Sequence, residues 1–349
     1  MKALVTGAAG FVGSHLVDAL LARGDSVVAF DHRLRGKCLS DAVLARTVAI
    51  EADIFDAEAV AQAAQGCAAI FHCAAMVGVD AYTSQPARTM EVEEVGLRNV
   101  CTAAIAQQTT RVIYASSSAV YGHADGRALD ETLVVAPVSN YGIAKRFGEL
   151  YLAAEHAEHG MRSAALRIFN VYGPRQDDRL VIPRFIRHAL AGEPIVIYGD
   201  GAQTRDFVYV GDAVAAAMAC AEQLAGCEIV NVCSGRDTAI AALADRIIKL
   251  TGSRSSIVRR APPVVRTAFE IERSVGSRDK LARLITSPPT ALDDGLERTI
   301  AAWTAARADE RRRNACSCSS SPRATRGNRM WRASSTATSS GCSRKPDST

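Results

Sequence analysis

The chain has 349 residues, 48% of them hydrophobic and 22% charged, with a net charge of +4 at neutral pH. That length can bury a large core and suits one large domain or two interlocked ones. The small charge excess, part of it in the C-terminal tail, gives no reason to invoke nucleic acid, and no apolar run approaches the roughly 20 residues of a membrane span.

In chain order, "KALVT" predicts a first strand, "VGSHLVDALLARG" a helix, "SVVAFD" and "TVAIEADI" two further strands, and "EAVAQAAQG" a helix. Then come the strand "AAIFHCAA", a long helix over 86–107, the strand "RVIYASS", a helix over 140–159 and the strand "SAALRIFN". Wholly apolar strands separated by helices of ten or more residues call for a parallel sheet covered on both faces. Right-handed crossovers then give an α/β fold with a Rossmann-type doubly wound sheet.

Beyond about residue 170 the rhythm loosens. Helices over 180–191, 211–224 and 238–251 alternate with "IVIYG" and "EIVNVC", which reads as a smaller C-terminal α/β lobe. A last helix, "TALDDGLERTIAAWTAAR", takes Thr290 as its N-cap and Asp293–Asp294 as an acidic first turn. The expected division is 1–170 for a dinucleotide-binding domain, 171–306 for a lobe interleaved with it, and 307–349 for a Ser/Arg-rich tail expected to be disordered. The N-terminus lacks a signal-peptide pattern and the ten cysteines show no metal-type spacing, so a reducing cytoplasm and no metal are expected.

Two stretches carry chemistry. "VTGAAGFVGSH" sets Gly7, Gly10 and Gly13 at G-x-x-G-x-x-G spacing between strand one and helix one, as a pyrophosphate cradle requires. Asp31 ends the second strand, where a carboxylate binds ribose hydroxyls and disfavours a 2′-phosphate; NAD is the expected cofactor, with Arg33 and Arg35 as the counter-signal for NADP. In "NYGIAK", Tyr141 and Lys145 stand four apart on one helix face. Ionising a tyrosine near neutrality costs roughly 4 kcal/mol. A positive charge about 4 Å away returns about as much at an effective dielectric of 20. Lys145 and an oxidised nicotinamide ring are two such charges, so Tyr141 can accept a proton beside a hydride carrier.

A serine strand-end, then Tyr-x-x-x-Lys, after an N-terminal glycine cradle, resembles the extended short-chain dehydrogenase/reductase family over residues 1 to about 305. "RIFNVYGPRQ" and "GDGAQTRDFVYVGDAV" are similar to its nucleotide-sugar epimerase/dehydratase branch. The resemblance implies Ser117 as the serine acting on a substrate hydroxyl, with Tyr141 and Lys145 completing the catalytic set. Ser118 lies one step beyond, toward the sugar. It implies Asp53 and Ile54 on the cofactor. For a UDP-sugar it implies Asn170 and Arg205 at the diphosphate, Val181, Val196 and Tyr198 around the uracil, Glu270 at the ribose, and Ser274 walling the sugar pocket. It further implies a homodimer paired through the 86–107 and 140–159 helices.

Three departures stand out. Ser118 and Ala119 replace the acid and base that dehydratases of this branch use, and related decarboxylases keep a Glu at the second position, so dehydration is not expected. Glu93–Glu94 replaces a frequent Asn-Val, a change expected to alter only a helix contact. Thr267 stands where the branch has a second diphosphate arginine, with Arg266 displaced by one. The expected function is NAD-dependent epimerisation at carbon-4 of a UDP-hexose, plain or N-acetylated. The alternatives are another nucleotide-sugar oxidoreductase, a UDP-uronic acid 4-epimerase, or a non-catalytic NAD-sensing protein.

Overall fold

The structure, a computed structural model, describes residues 1–319 except 77, 79–83, 109–110, 124–125 and 262–270. Residues 1–306 form one unit, and residues 307–349 belong to a second.

The first half contains β1 (Lys2–Thr6), α1 (Phe11–Ala22), β2 (Ser26–Asp31), α2 (Asp41–Leu44), β3 (Val48–Glu51), α3 (Ala57–Ala64), β4 (Ala69–His72), α4 (Pro86–Ala106), β5 (Arg111–Ser117), α5 (Asn140–His159) and β6 (Arg162–Ile168). The second half adds β7 (Asn170–Tyr172), α6 (Val181–Ala191), β8 (Ile195–Tyr198), β9 (Thr204–Tyr209), α7 (Val210–Gln223), β10 (Cys227–Val232), β11 (Asp237–Ala239), α8 (Ile240–Thr251), β12 (Ile257–Arg260), β13 (Arg273–Ser274), α9 (Asp279–Leu284) and α10 (Leu292–Ser319).

Seven parallel strands form the central sheet in the order β10-β6-β5-β4-β1-β2-β3. Alternation along each strand feeds two cores. Ala3, Val5, Val27 and Ala29 face the layer of α1 and α7, while Leu4, Val28 and Phe30 face α3 and α4. The strand order reverses between β1 and β4, and the crevice above their C-terminal ends is where such sheets bind ligands.

The smaller lobe consists of a β11-β9-β13 sheet with β7 joined to β9, a β8–β12 pair, and a third core under α6 and α8. "EIVNVC" was expected here, but as β10 it pairs with β6 and extends the central sheet. Helix α7 likewise packs on α1 and the central strands. An apolar strand pattern does not say which sheet edge receives it, because the lobe's elements are inserted within a crossover.

The last helix also differs from expectation. It begins at Leu292, and Thr290 does not cap it: its N–H and hydroxyl both donate to Asp212, each at 2.8 Å. At its other end the helix runs on to Ser319 through "ADERRRNA", whose Ala, Glu and Arg residues have good helix propensity, so the segment expected to be disordered from 307 begins as helix.

Candidate active site

The glycine loop is built by close approach. Gly7 has φ +66°, and a Cβ on it would lie 2.7 Å from the Ala74 nitrogen and 2.8 Å from the Cys73 carbonyl. A Cβ on Gly13 would overlap the Gly7 carbonyl oxygen. Only glycine lets loop, β4 and α1 meet here, and the contact leaves the α1 N-terminus open on the crevice with its free N–H groups and positive dipole end.

Asp31 is buried at the tip of β2. Its Oδ2 accepts the Ala9 N–H of the glycine loop at 3.1 Å, and its Oδ1 accepts the Arg33 N–H at 3.2 Å. The basic loop is read differently from expectation. Arg35 pairs with Asp41 at 2.9 Å, and the cation beside Asp31 is Lys37, whose Nζ lies 3.0 Å from Oδ1. Asp53 is half exposed, accepts the Phe55 N–H at 3.1 Å and lies 3.6 Å from Arg88. Ile54 is buried, and its carbonyl accepts from Asn99 at 3.0 Å.

The three serines ending β5 divide the work by direction. Ser116 points inward and donates to Glu149 at 2.8 Å. Glu149 is gripped by Arg167 at 2.9 and 2.8 Å and by Arg146 at 2.9 Å. Burial pushes the Glu149 carboxyl up, but the Arg167 hydrogen bonds and charge outweigh it and hold the group below its usual value. Ser117 turns to the crevice and hydrogen-bonds Tyr141, and its Oγ also accepts the Ala119 N–H at 3.2 Å. Ser118 begins the 3₁₀ turn that follows.

Helix α5 can come this close because of Gly142, where a Cβ would stand 2.6 Å from the Ala119 carbonyl oxygen. Ser139 caps the helix by accepting the Gly142 N–H at 3.1 Å.

Lys145 is 1% exposed and its Nζ lies 2.6 Å from Glu93 Oε1, an ion pair whose angle falls outside hydrogen-bond geometry. Tyr114 donates to Glu93 Oε2 at 2.6 Å. Lys145 sits 4.7 Å from the Tyr114 ring centre and 5.8 Å from that of Tyr141. Burial pushes the Tyr141 phenol up, Lys145 pulls it down, Glu93 pushes it up again, and the Ser117 hydrogen bond lowers it. The expectation that Lys145 brings Tyr141 an uncompensated charge is therefore corrected, and so is the reading of Glu93 as a mere helix contact.

The signal for Glu93 was present. With Thr89, Leu97, Val100 and Cys101 it falls on the helical stripe that buries α4.

One cleft of about 750 Å³ joins these parts. It is lined by the glycine loop, Asp31, Asp53, Ile54, Ser117, Ser118, Tyr141 and Lys145, and on the lobe side by Asn170, Val181, Arg205 and Ser274. Val181 is the first residue of α6, so its N–H has no acceptor within the helix. Arg205 donates to the carbonyls of Thr204 at 2.8 Å and Ile271 at 2.6 Å, and Ser274 is its register partner across β9 and β13. Val196 and Tyr198, on β8, are not among the described residues lining the cleft, where Phe207 and Ile271 stand instead. Glu270, Arg266 and Thr267 lie outside the described residues. Lys37 and Gln176, which sequence reasoning passed over, also line the cleft.

A doubly wound sheet, a glycine cradle at a helix N-terminus, an acid at the end of β2, and a Ser/Tyr/Lys group across the cleft define a dinucleotide-dependent enzyme of the extended short-chain dehydrogenase/reductase type. The chain belongs to the NAD dependent epimerase/dehydratase family, whose profile matches residues 3–233. It is 36% identical over 268 residues to a UDP-N-acetyl-alpha-D-glucosaminuronate decarboxylase of Bacillus cytotoxicus, covering 74% of this chain and 82% of the relative. Among solved structures it resembles the UDP-glucose 4-epimerase of Thermotoga maritima with UDP-glucose, at a TM-score of 0.81 and 31% identity over 88% of this chain and 99% of that one. It also resembles the Thermus thermophilus UDP-glucose 4-epimerase in complex with NAD, at 0.79 and 30% over 87% and 99%. NAD is the cofactor, and the cradle and Asp31 fit its pyrophosphate and ribose.

Proposed function

We propose that the protein interconverts UDP-hexoses epimeric at carbon-4. The observation that carries this reading is the group that borders the reacting end of the cleft: Ser117 bonded to Tyr141, followed by Ser118 and Ala119, which have no titratable group. Such a site can move one proton at one hydroxyl, but it has no acid–base pair after Ser117 to expel water from the sugar.

Bound NAD supplies a hydride acceptor that is regenerated within the cycle. Ser117 orients the 4-hydroxyl and Tyr141 takes its proton, returning it once the keto-sugar has turned over. Arg205 and Asn170 hold the diphosphate, and the Val181 N–H supports the uracil, so the nucleotide stays fixed while the sugar swings. Glu270 is assigned the ribose. Ser274 walls the sugar, and its small side chain leaves room for an N-acetyl group.

The second reading is action on a UDP-uronic acid, favoured by the similarity to the Bacillus cytotoxicus decarboxylase. Ala119 speaks against decarboxylation itself, because it stands where related decarboxylases keep a Glu.

The test is incubation of purified protein with UDP-glucose, UDP-N-acetylglucosamine and UDP-glucuronate, with products resolved by NMR. The 4-epimers of the first two are expected, whereas release of carbon dioxide from UDP-glucuronate would replace this reading with the second. Ser274→Tyr should abolish turnover of the acetylated sugar while sparing UDP-glucose. Equal loss of both would remove Ser274 from the pocket wall.

We also assign the protein to the cytoplasm, and to a homodimer through α4 and α5.

A further inference from the structure

We infer that Glu93 is a positioning residue that fixes Lys145 and offsets part of its charge at Tyr141, so that the Tyr141 phenolate depends on the charge of an oxidised cofactor. The inference rests on the proposed proton-accepting role of Tyr141 but not on the identity of the sugar.

The geometry is unusually closed. Glu93 is 0% exposed, and its two oxygens are taken up by Lys145 and Tyr114, each at 2.6 Å. Lys145 therefore lies against a carboxylate and over the Tyr114 and Tyr141 rings, at 4.7 and 5.8 Å from their centres.

Among the described residues, the other ionisable groups that face this cluster keep their charge state near neutrality. From β4, His72 is buried and pushed down to about 3, so it stays neutral. Next to it, burial raises the Cys73 thiol to about 12, so it stays protonated. From β5, burial and the Glu93 charge keep the Tyr114 phenol protonated. From α5, the Glu149 charge is matched by buried Arg167, and Arg146, 30% exposed, adds a positive charge that solvent screens. Among the described residues, the buried charges that act on Tyr141 are one cation, Lys145, and one anion, Glu93, which opposes the larger effect of Lys145.

The consequence is a coupling of proton to hydride. With an oxidised cofactor bound, Tyr141 would take the proton of the substrate hydroxyl more readily. With a neutral ring beside it, Tyr141 would keep only the part of the Lys145 attraction that Glu93 does not offset. A Tyr–Lys pair without Glu93 would favour the phenolate in both states.

The test reads Tyr141 directly, without substrate. Phenolate formation is followed by ultraviolet absorbance near 295 nm in cofactor-free protein, with Tyr141→Phe subtracted to isolate Tyr141. Glu93→Asp, which keeps the charge, should leave the midpoint near that of the wild type. Glu93→Gln should lower it by about one pH unit or more.

Removing a single partner of a buried pair can prevent folding, so a second comparison is included. Lys145→Met alone should raise the midpoint, and Glu93→Gln/Lys145→Met, which is again neutral, should bring it back toward the wild type. The inference is overturned if Glu93→Gln leaves the midpoint in place or raises it, or if Lys145→Met and the double variant titrate together. Failure of epimerisation with an intact titration pattern would instead overturn the function proposed above.

Discussion

Replacing Asp31 with Asn changes one atom group and tests the cofactor end of the site. The carboxylate accepts the Ala9 N–H at 3.1 Å, the Arg33 N–H at 3.2 Å and the Lys37 ammonium at 3.0 Å. Asn keeps one oxygen for the glycine loop but brings no charge to a ribose. Hydrogen bonds to a charged group contribute about 1.5–3 kcal/mol each. In the wild type, part of that is already spent on Lys37, which must share or yield Oδ1 when a ribose docks. The lower end of the range applies, giving roughly a tenfold to thirtyfold weaker Kd for NAD. NADP should move the other way, because the substitution removes the negative charge facing its 2′-phosphate and frees Lys37 to bind it. Isothermal titration of both cofactors into cofactor-free protein measures the two changes. Lys37→Met in the same background should erase the NADP gain. NAD affinity within threefold of wild type, or NADP binding that weakens, would refute the reasoning.

Two further outcomes follow from the packing. Arg167→Met should cost about 3–5 kcal/mol at pH 7, because it leaves the buried Glu149 short of its main partner. Glu149 is held below its usual value in the native state, so its stabilisation is present above the ordinary carboxylate pKa and is lost as pH falls through the native one. The deficit of the variant, measured by urea unfolding, should therefore be largest near neutrality and shrink on acidification. On α5, Ile143 is 45% and Leu150 53% exposed, two turns apart on one face. Ile143→Glu/Leu150→Glu should convert the proposed dimer to monomer by light scattering, and a wild type that is monomeric at micromolar concentration would count against the pairing.

Much of this protein is written in local pattern. Short runs that are apolar on both faces fix β1, β2, β5 and β6, and the boundaries of α5 come from Ser139 and the glycine at its end. Gly7, Gly10 and Gly13 mark the cradle, and Tyr141 and Lys145 share a face because four residues make about one helical turn. These are properties of single segments, and a segment carries them wherever it packs.

Partnership between segments is another matter. Which serine of three meets Tyr141, whether "EIVNVC" joins the central sheet, which cation of a basic loop reaches Asp31, and that Glu93 on α4 pairs with Lys145 on α5 depend on how elements distant in sequence are brought together. Charge balance inside a cleft is a sum over neighbours in space. The sequence determined which groups could do the chemistry; only tertiary packing decided which charges act on them, because electrostatic energy depends on distance and burial and not on order along the chain.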